Sequence, residues 1–200
     1  MKRRYWLILF FSLILVAGLG YVLSRKYSLN TSYEVGQAID SLHGVKVYYN
    51  GSVRHVEGRN LTPDNYNLGQ KYQCVEFVKR YYYQRLHHKM PDPSGDAKDF
   101  YENGLSDGER NTKRNLIQFN NGSATCPDTS DLLVFGPSLF NPFGHVAIVS
   151  DVTGLELELI QQNPGPFGKS RVRIGIRSEN GRWYLAESRV LGWLRLRKAD

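Results

Sequence analysis

Gly69-Gln70-Lys71-Tyr72-Gln73-Cys74-Val75-Glu76-Phe77-Val78-Lys79-Arg80 carries a polar, glycine-bearing loop straight into a helical pattern. Val75, Val78 and Tyr82 recur at helical spacing, and Glu76 and Arg80 stand four apart, the separation of an ion pair on one helix face. The spacing predicts a helix from Cys74 to about Arg85, with Tyr81-Tyr82-Tyr83 shared between core and helix surface. Cys74 then sits at or near the helix N-terminus. There the free N–H groups and the macrodipole favour the thiolate, the nucleophilic form.

Downstream the hydrophobic pattern changes period. Strands are predicted over 131–135, 145–152, 155–161, 171–176, 182–185 and 190–196, with Asn180-Gly181 as a hairpin turn. Upstream, Val45 to Gly51 reads as a strand ending in an Asn-Gly turn, and residues 54–70 read as loop. The polar stretch from His87 to Asn121 shows one helical pattern, near Ala97 to Asn103. A helix followed by an antiparallel sheet indicates an α+β fold, the cysteine-bearing helix packed on the sheet.

One strand begins Gly144-His145-Val146-Ala147-Ile148-Val149. A cysteine on a helix tip and a histidine on a downstream strand suggest thiol acyl transfer. The following hairpin offers a partner for the imidazole. A three-residue loop over Val152-Thr153-Gly154 pairs Asp151 with Leu155 and, carried along the strands, His145 with Gln161. Asn163 shares the face of Gln161 by alternation, whereas Gln162 points the other way. In this reading Cys74 attacks an amide carbonyl as half of a thiolate–imidazolium pair with His145. Gln161 fixes the tautomer, Asn163 approaches the ring, and the backbone N–H of Cys74 with Gln73 or Tyr72 holds the oxyanion.

The 200 residues suit one domain plus an appendage, and 41% hydrophobic content supports a core. The net charge of +7 raises polyanion binding. Much of that charge flanks the termini (Lys2, Arg3, Arg4, Arg25 and Lys26, then Arg195, Arg197 and Lys198), and no nucleic-acid motif accompanies it. An anionic cell envelope accounts for it equally well. Tyr5 to Leu23 is an almost unbroken apolar run, long enough to cross a bilayer as one helix. Lys2-Arg3-Arg4 place its N-terminus in the cytoplasm and the rest outside. Small residues from Ala17 to Gly20 leave a cleaved signal as the alternative. The expected division is an anchor over 1–26, a juxtamembrane stalk over 27–43 and a catalytic domain over 44–200, monomeric and without cofactor. His43, His55, His87 and His88 lack metal-ligand spacing. The two cysteines, Cys74 and Cys126, leave a structural disulfide open as the bland alternative to a nucleophile.

Tyr72-Gln73-Cys74-Val75-Glu76-Phe77, Asp131 to Phe135, Gly144 to Val149 and Gln161-Gln162-Asn163, in this order, resemble the CHAP family of cysteine- and histidine-dependent amidohydrolases/peptidases. The first piece is also similar to the amidase domain of glutathionylspermidine synthetases/amidases. The resemblance spans about residues 44–196 and implies a papain-like core, Cys74 as nucleophile and His145 as base. The family usually supplies a Glu as third member, with Asn two residues later. Here Gln161 fills the Glu position and Asn163 matches. With the anchor, the resemblance implies peptidoglycan peptides as substrate. A glutathionylspermidine-type amidase and a catalytically weak envelope-binding module are the competing expectations.

Overall fold

The computed structural model describes residues 2–26, 30–139, 141–165 and 167–197. A long helix, α1 (Lys2–Lys26), precedes the folded unit. Its span Arg3–Leu23 has a mean hydropathy of 2.4 and no burial against the rest of the chain. Length and composition suit either a membrane span or a signal sequence.

The folded unit starts before the expected stalk ends. Strand β1 (Ala38–Leu42) pairs with β2 (Val45–Tyr48), and Leu42 is buried in the core. Residues 27–29 lie outside the described residues. The segment read as loop over 54–70 holds two short paired strands, β3 (Arg59–Leu61) and β4 (Asn67–Gln70). Helix α2 follows as Cys74–Leu86 and ends at His87 in the left-handed conformation (φ +51°). The helix expected near Ala97 is a single 3-10 turn, Ala97–Phe100.

A single antiparallel sheet then takes up β5 (Arg110–Asn111), β6 (Leu116–Asn120), β7 (Leu132–Phe135), β8 (His145–Thr153), β9 (Glu156–Ile160), β10 (Arg171–Glu179), β11 (Arg182–Leu185) and β12 (Val190–Arg195). Its order is β11-β10-β9-β8-β7-β12-β6-β5. The strands after Asp131 match the sequence reading within about three residues, whereas β5 and β6 fall in the stretch read as polar. β6 is held by β12, some 70 residues onward (Trp193 opposite Phe119), a pairing no local pattern announces.

Alternation divides the sheet into two buried faces. Val134, Val146, Ile148, Ile160 and Leu194 meet Phe77, Val78, Tyr81 and Tyr82 of α2. Leu133, Ala147, Val149, Leu157, Leu159 and Trp193 meet Ile176 and Leu185 on the other face. Trp183 of β11 bridges to Ser123, just past β6, through N–H···O bonds of 2.7 and 2.8 Å that involve Ser123 and Gly122. The sheet therefore curls back on itself, with Trp193 fully buried inside the curve.

Glu76 and Arg80, read from sequence as a helix pair, are interior. Their side chains are 2% and 7% exposed. Arg80 Nε donates to Glu76 Oε1 at 2.6 Å, and Asn60 Nδ2 donates to the same oxygen at 2.8 Å. Gln162 Nε2 donates to Glu76 Oε2 (2.9 Å) and to the Gln73 carbonyl (3.0 Å), while its Oε1 accepts from the Tyr48 N–H (2.7 Å). One buried carboxylate thus ties the start of α2 to β2, β3 and the exit of β9. Glu76→Ala leaves the Arg80 charge buried without a counter-charge and is expected to cost about 3–5 kcal/mol in a denaturant titration. Replacing the pair together, as Glu76→Leu with Arg80→Met, is expected to cost far less, because no buried charge is left alone.

Candidate active site

Cys74 is the first residue of α2, and the chain reaches it through an unusual backbone. Tyr72 has φ +65°, a rare conformation for a bulky residue. Its ring packs against Tyr48 with centroids 5.5 Å apart. Gly36 makes room for it, since a Cβ there would stand 2.8 Å from the Tyr72 hydroxyl oxygen. Gln73 then takes the extended N-cap position (φ −83°, ψ 159°) without capping the helix by its side chain. Its Nε2 donates instead to the His55 carbonyl at 2.7 Å.

The Cys74 thiol lies against the backbone N–H of Val146, the residue after His145. The expected helix-end donors, the N–H groups of Val75 and Cys74, face it as well. Burial outweighs all three and pushes the thiol up to about 11. Both Cys74 and Cys126 are free thiols, so no disulfide ties up Cys74.

His145 opens β8 directly after Gly144, whose φ of +74° and tight packing require glycine: a Cβ there would stand 2.5 Å from the Phe135 carbonyl oxygen. The imidazole Nε2 lies 2.9 Å from Gln161 Oε1. The amide orientation is fixed from behind, because Gln161 Nε2 donates to the Lys169 carbonyl at 3.0 Å. A carbonyl oxygen only accepts, so Nε2 of the ring carries the proton and Nδ1 keeps the lone pair. Burial drives His145 down to about 4; the Gln161 bond opposes this and the Arg189 charge adds to it.

The expected contact with Gln161 is present, but the expected register is not. The hairpin turns at Gly154-Leu155, with Thr153 opposite Glu156, and a bulge lies between Val149 and Asp151. Extended past β9, that register sets position 163, not 161, across from His145. Gln161 reaches the ring diagonally from the same face. Asn163 leaves the imidazole altogether. With φ +56°, it donates through Nδ2 to Gln73 Oε1 at 2.6 Å and to the Val53 carbonyl at 3.2 Å. Gln162 points away from Gln161, as alternation predicts, and lies fully buried under the cysteine loop. The Val146 N–H was also missed, since a backbone donor has no sequence signal.

Compared with known proteins, residues 64–163 match the model of the CHAP domain family. The chain belongs to the CHAP family. It is accordingly an enzyme of the amidohydrolase/peptidase type. The glutathionylspermidine synthase of Crithidia fasciculata is 31% identical over 139 residues, which are 64% of this chain and 19% of that protein. The bifunctional glutathionylspermidine synthetase/amidase of Escherichia coli (strain K12) is 29% identical over 146 residues, 68% of this chain and 23% of that protein. The chain thus spans about a fifth of the length of these curated relatives. Among solved structures, Ly7917 with the hydrolyzing product of MDP aligns at a TM-score of 0.38 and 19% identity, covering 62% of this chain and 54% of that one.

Burial pushes both groups toward their neutral forms, the thiol up and the imidazole down, against the expected thiolate–imidazolium pair. Iodoacetamide labelling of Cys74 in the CHAP protein is therefore expected to be slow at pH 7 and to accelerate only above about pH 9, read by mass spectrometry. Gln161→Glu sets a carboxylate against the ring. It is expected to raise the His145 pKa by about 1–3 units and move the onset of labelling toward lower pH. Labelling of the unaltered protein as fast at pH 6 as at pH 9 would contradict the neutral pair.

Proposed function

We propose that this chain is a membrane-anchored, exported cysteine amidohydrolase with a papain-like core that cleaves an amide bond in peptidoglycan peptides. The observation that carries the reading is the tautomer lock at His145. Gln161 holds the proton on Nε2 and leaves Nδ1 as a base, and the N–H of Val146, the next residue, lies against the Cys74 thiol. The apolar span Arg3–Leu23 supports an anchor that exports the domain after it, and the family supports the bond type.

In this mechanism the thiol proton passes to Nδ1 of His145 as sulfur attacks the amide carbonyl carbon. A neutral pair suits this order, because charge separation develops only as the bond forms. The backbone N–H of Cys74, with Gln73 and the neighbouring Tyr72, receives the oxyanion. Collapse of the tetrahedral adduct breaks the C–N bond, and the imidazolium protonates the departing amine. Water, deprotonated by the same nitrogen, then hydrolyses the thioester and restores the thiol. Gln161 orients the ring throughout, and Asn163 acts one step away by holding Gln73.

The likeness to glutathionylspermidine synthetase/amidase favours a second reading, a glutathionylspermidine-type amidase. The test is to incubate the detergent-solubilised full chain with purified sacculi and, separately, with glutathionylspermidine. New amino groups and soluble peptides are expected from sacculi, reduced about a thousandfold or more in Cys74→Ala. Turnover of glutathionylspermidine alone would move the assignment to the second reading. Binding to sacculi with no turnover of either would make the domain an envelope-binding module.

A further inference from the structure

The loop between β2 and β3 holds two buried polar atoms that the chain leaves unsatisfied. Asn50 and Ser52 are each 2% exposed. Among the described residues, Asn50 Oδ1 and Ser52 Oγ have no hydrogen-bond partner. A buried polar atom in that state costs about 1–3 kcal/mol, so it calls for an explanation. The Asn50 amide is not free to turn and relieve the cost. Its Nδ2 donates to the Ser52 carbonyl at 2.8 Å and to the His55 carbonyl at 3.4 Å, which directs Oδ1 away from both.

A shared acceptor links Asn50 to the residue before Cys74. The His55 carbonyl that accepts from Asn50 also accepts from Gln73 Nε2, the side chain immediately before Cys74. Asn163 fastens the same loop through the Val53 carbonyl. The loop therefore closes over the start of α2, and its own His55 carbonyl occupies the donor that the proposed oxyanion needs.

We propose that Asn50 and Ser52 form a subsite for the main chain of a peptide substrate, filled when the substrate displaces the outer arc of this loop, residues 53–57. A peptide unit presents a carbonyl and an N–H. Gln73 Nε2 exchanges the His55 carbonyl at 2.7 Å and the Val53 carbonyl at 3.4 Å for the substrate carbonyl. The substrate N–H groups beside the scissile amide are accepted by Asn50 Oδ1 and Ser52 Oγ, which gain partners they lack in the free protein. Pairing through main-chain groups selects an extended peptide over a substrate without consecutive amides. The inference rests on the amide-hydrolase reading of Cys74 and His145 and deepens it to a peptide substrate.

The test measures binding without turnover. Full-length Cys74→Ala protein in detergent is titrated by calorimetry with soluble muropeptides obtained by muramidase digestion of sacculi. Adding Ser52→Ala is expected to raise Kd about five- to tenfold, the worth of one hydrogen bond. Its thermal midpoint is expected to stay level or rise, because the deleted hydroxyl has no partner in the free protein. An unchanged Kd, a midpoint that falls together with the rise in Kd, or no muropeptide binding up to millimolar concentration would each overturn the subsite. The hydrolase reading fails separately, when the unaltered chain binds muropeptides and releases nothing from them.

Discussion

The buried Glu76 carboxylate is the constraint on which the site depends. It accepts from Arg80 on its own helix, Asn60 on β3 and Gln162 after β9. Through Gln162 the same network reaches the Tyr48 N–H and the Gln73 carbonyl. A charge held this far from water persists only while every partner stays in place. The first turn of α2 is therefore pinned to three separate parts of the chain, and Cys74 inherits that rigidity. Gln161 and Asn163 flank Gln162 in sequence, so the residue that clamps the helix also spaces its two neighbours, one toward the imidazole and one toward Gln73.

Electrostatics at the site is a contest between donors and desolvation. Three backbone N–H groups face the Cys74 sulfur, yet burial pushes it toward the thiol, and burial likewise pushes His145 toward the neutral imidazole. Gln161 is consistent with that outcome. An amide oxygen selects the tautomer as well as a carboxylate does, but it brings no charge to stabilise an imidazolium. Burial of the Cys74 thiol, which disfavours the reactive thiolate, limits its adventitious alkylation and oxidation. Closure by the β2–β3 loop acts in the same direction.

Much of this was legible in the residue string. The helix at Cys74, the strands after Asp131 and the shared face of His145 and Gln161 follow from periodicity, because each is set by which side chains face a core. The failures are specific. β1 and β6 were lost since their partners stabilise them more than their own composition does. The β8–β9 register was misread because a bulge next to Ser150 and a two-residue turn each shift the pairing, and neither has a compulsory signature. Together they shift the register by two residues, an even step that keeps Gln161 on the face of His145, so it meets the ring on the diagonal. Asn163 was misplaced for a related reason: its left-handed backbone turns the side chain toward Gln73.

What the sequence determined by itself is the chemistry available: a thiol at a helix start, a histidine at a strand start, an amide behind it and an apolar span before them all. Residue type and period suffice for these, because they depend on local geometry and on a one-dimensional pattern of burial. Only the tertiary structure decided the state of that chemistry. Protonation of Cys74 and His145, the role of Gln162 as clamp and the stranded oxygens of Asn50 and Ser52 all depend on which distant groups exclude water from them. Desolvation is a property of the packed volume, and no short window of sequence contains it.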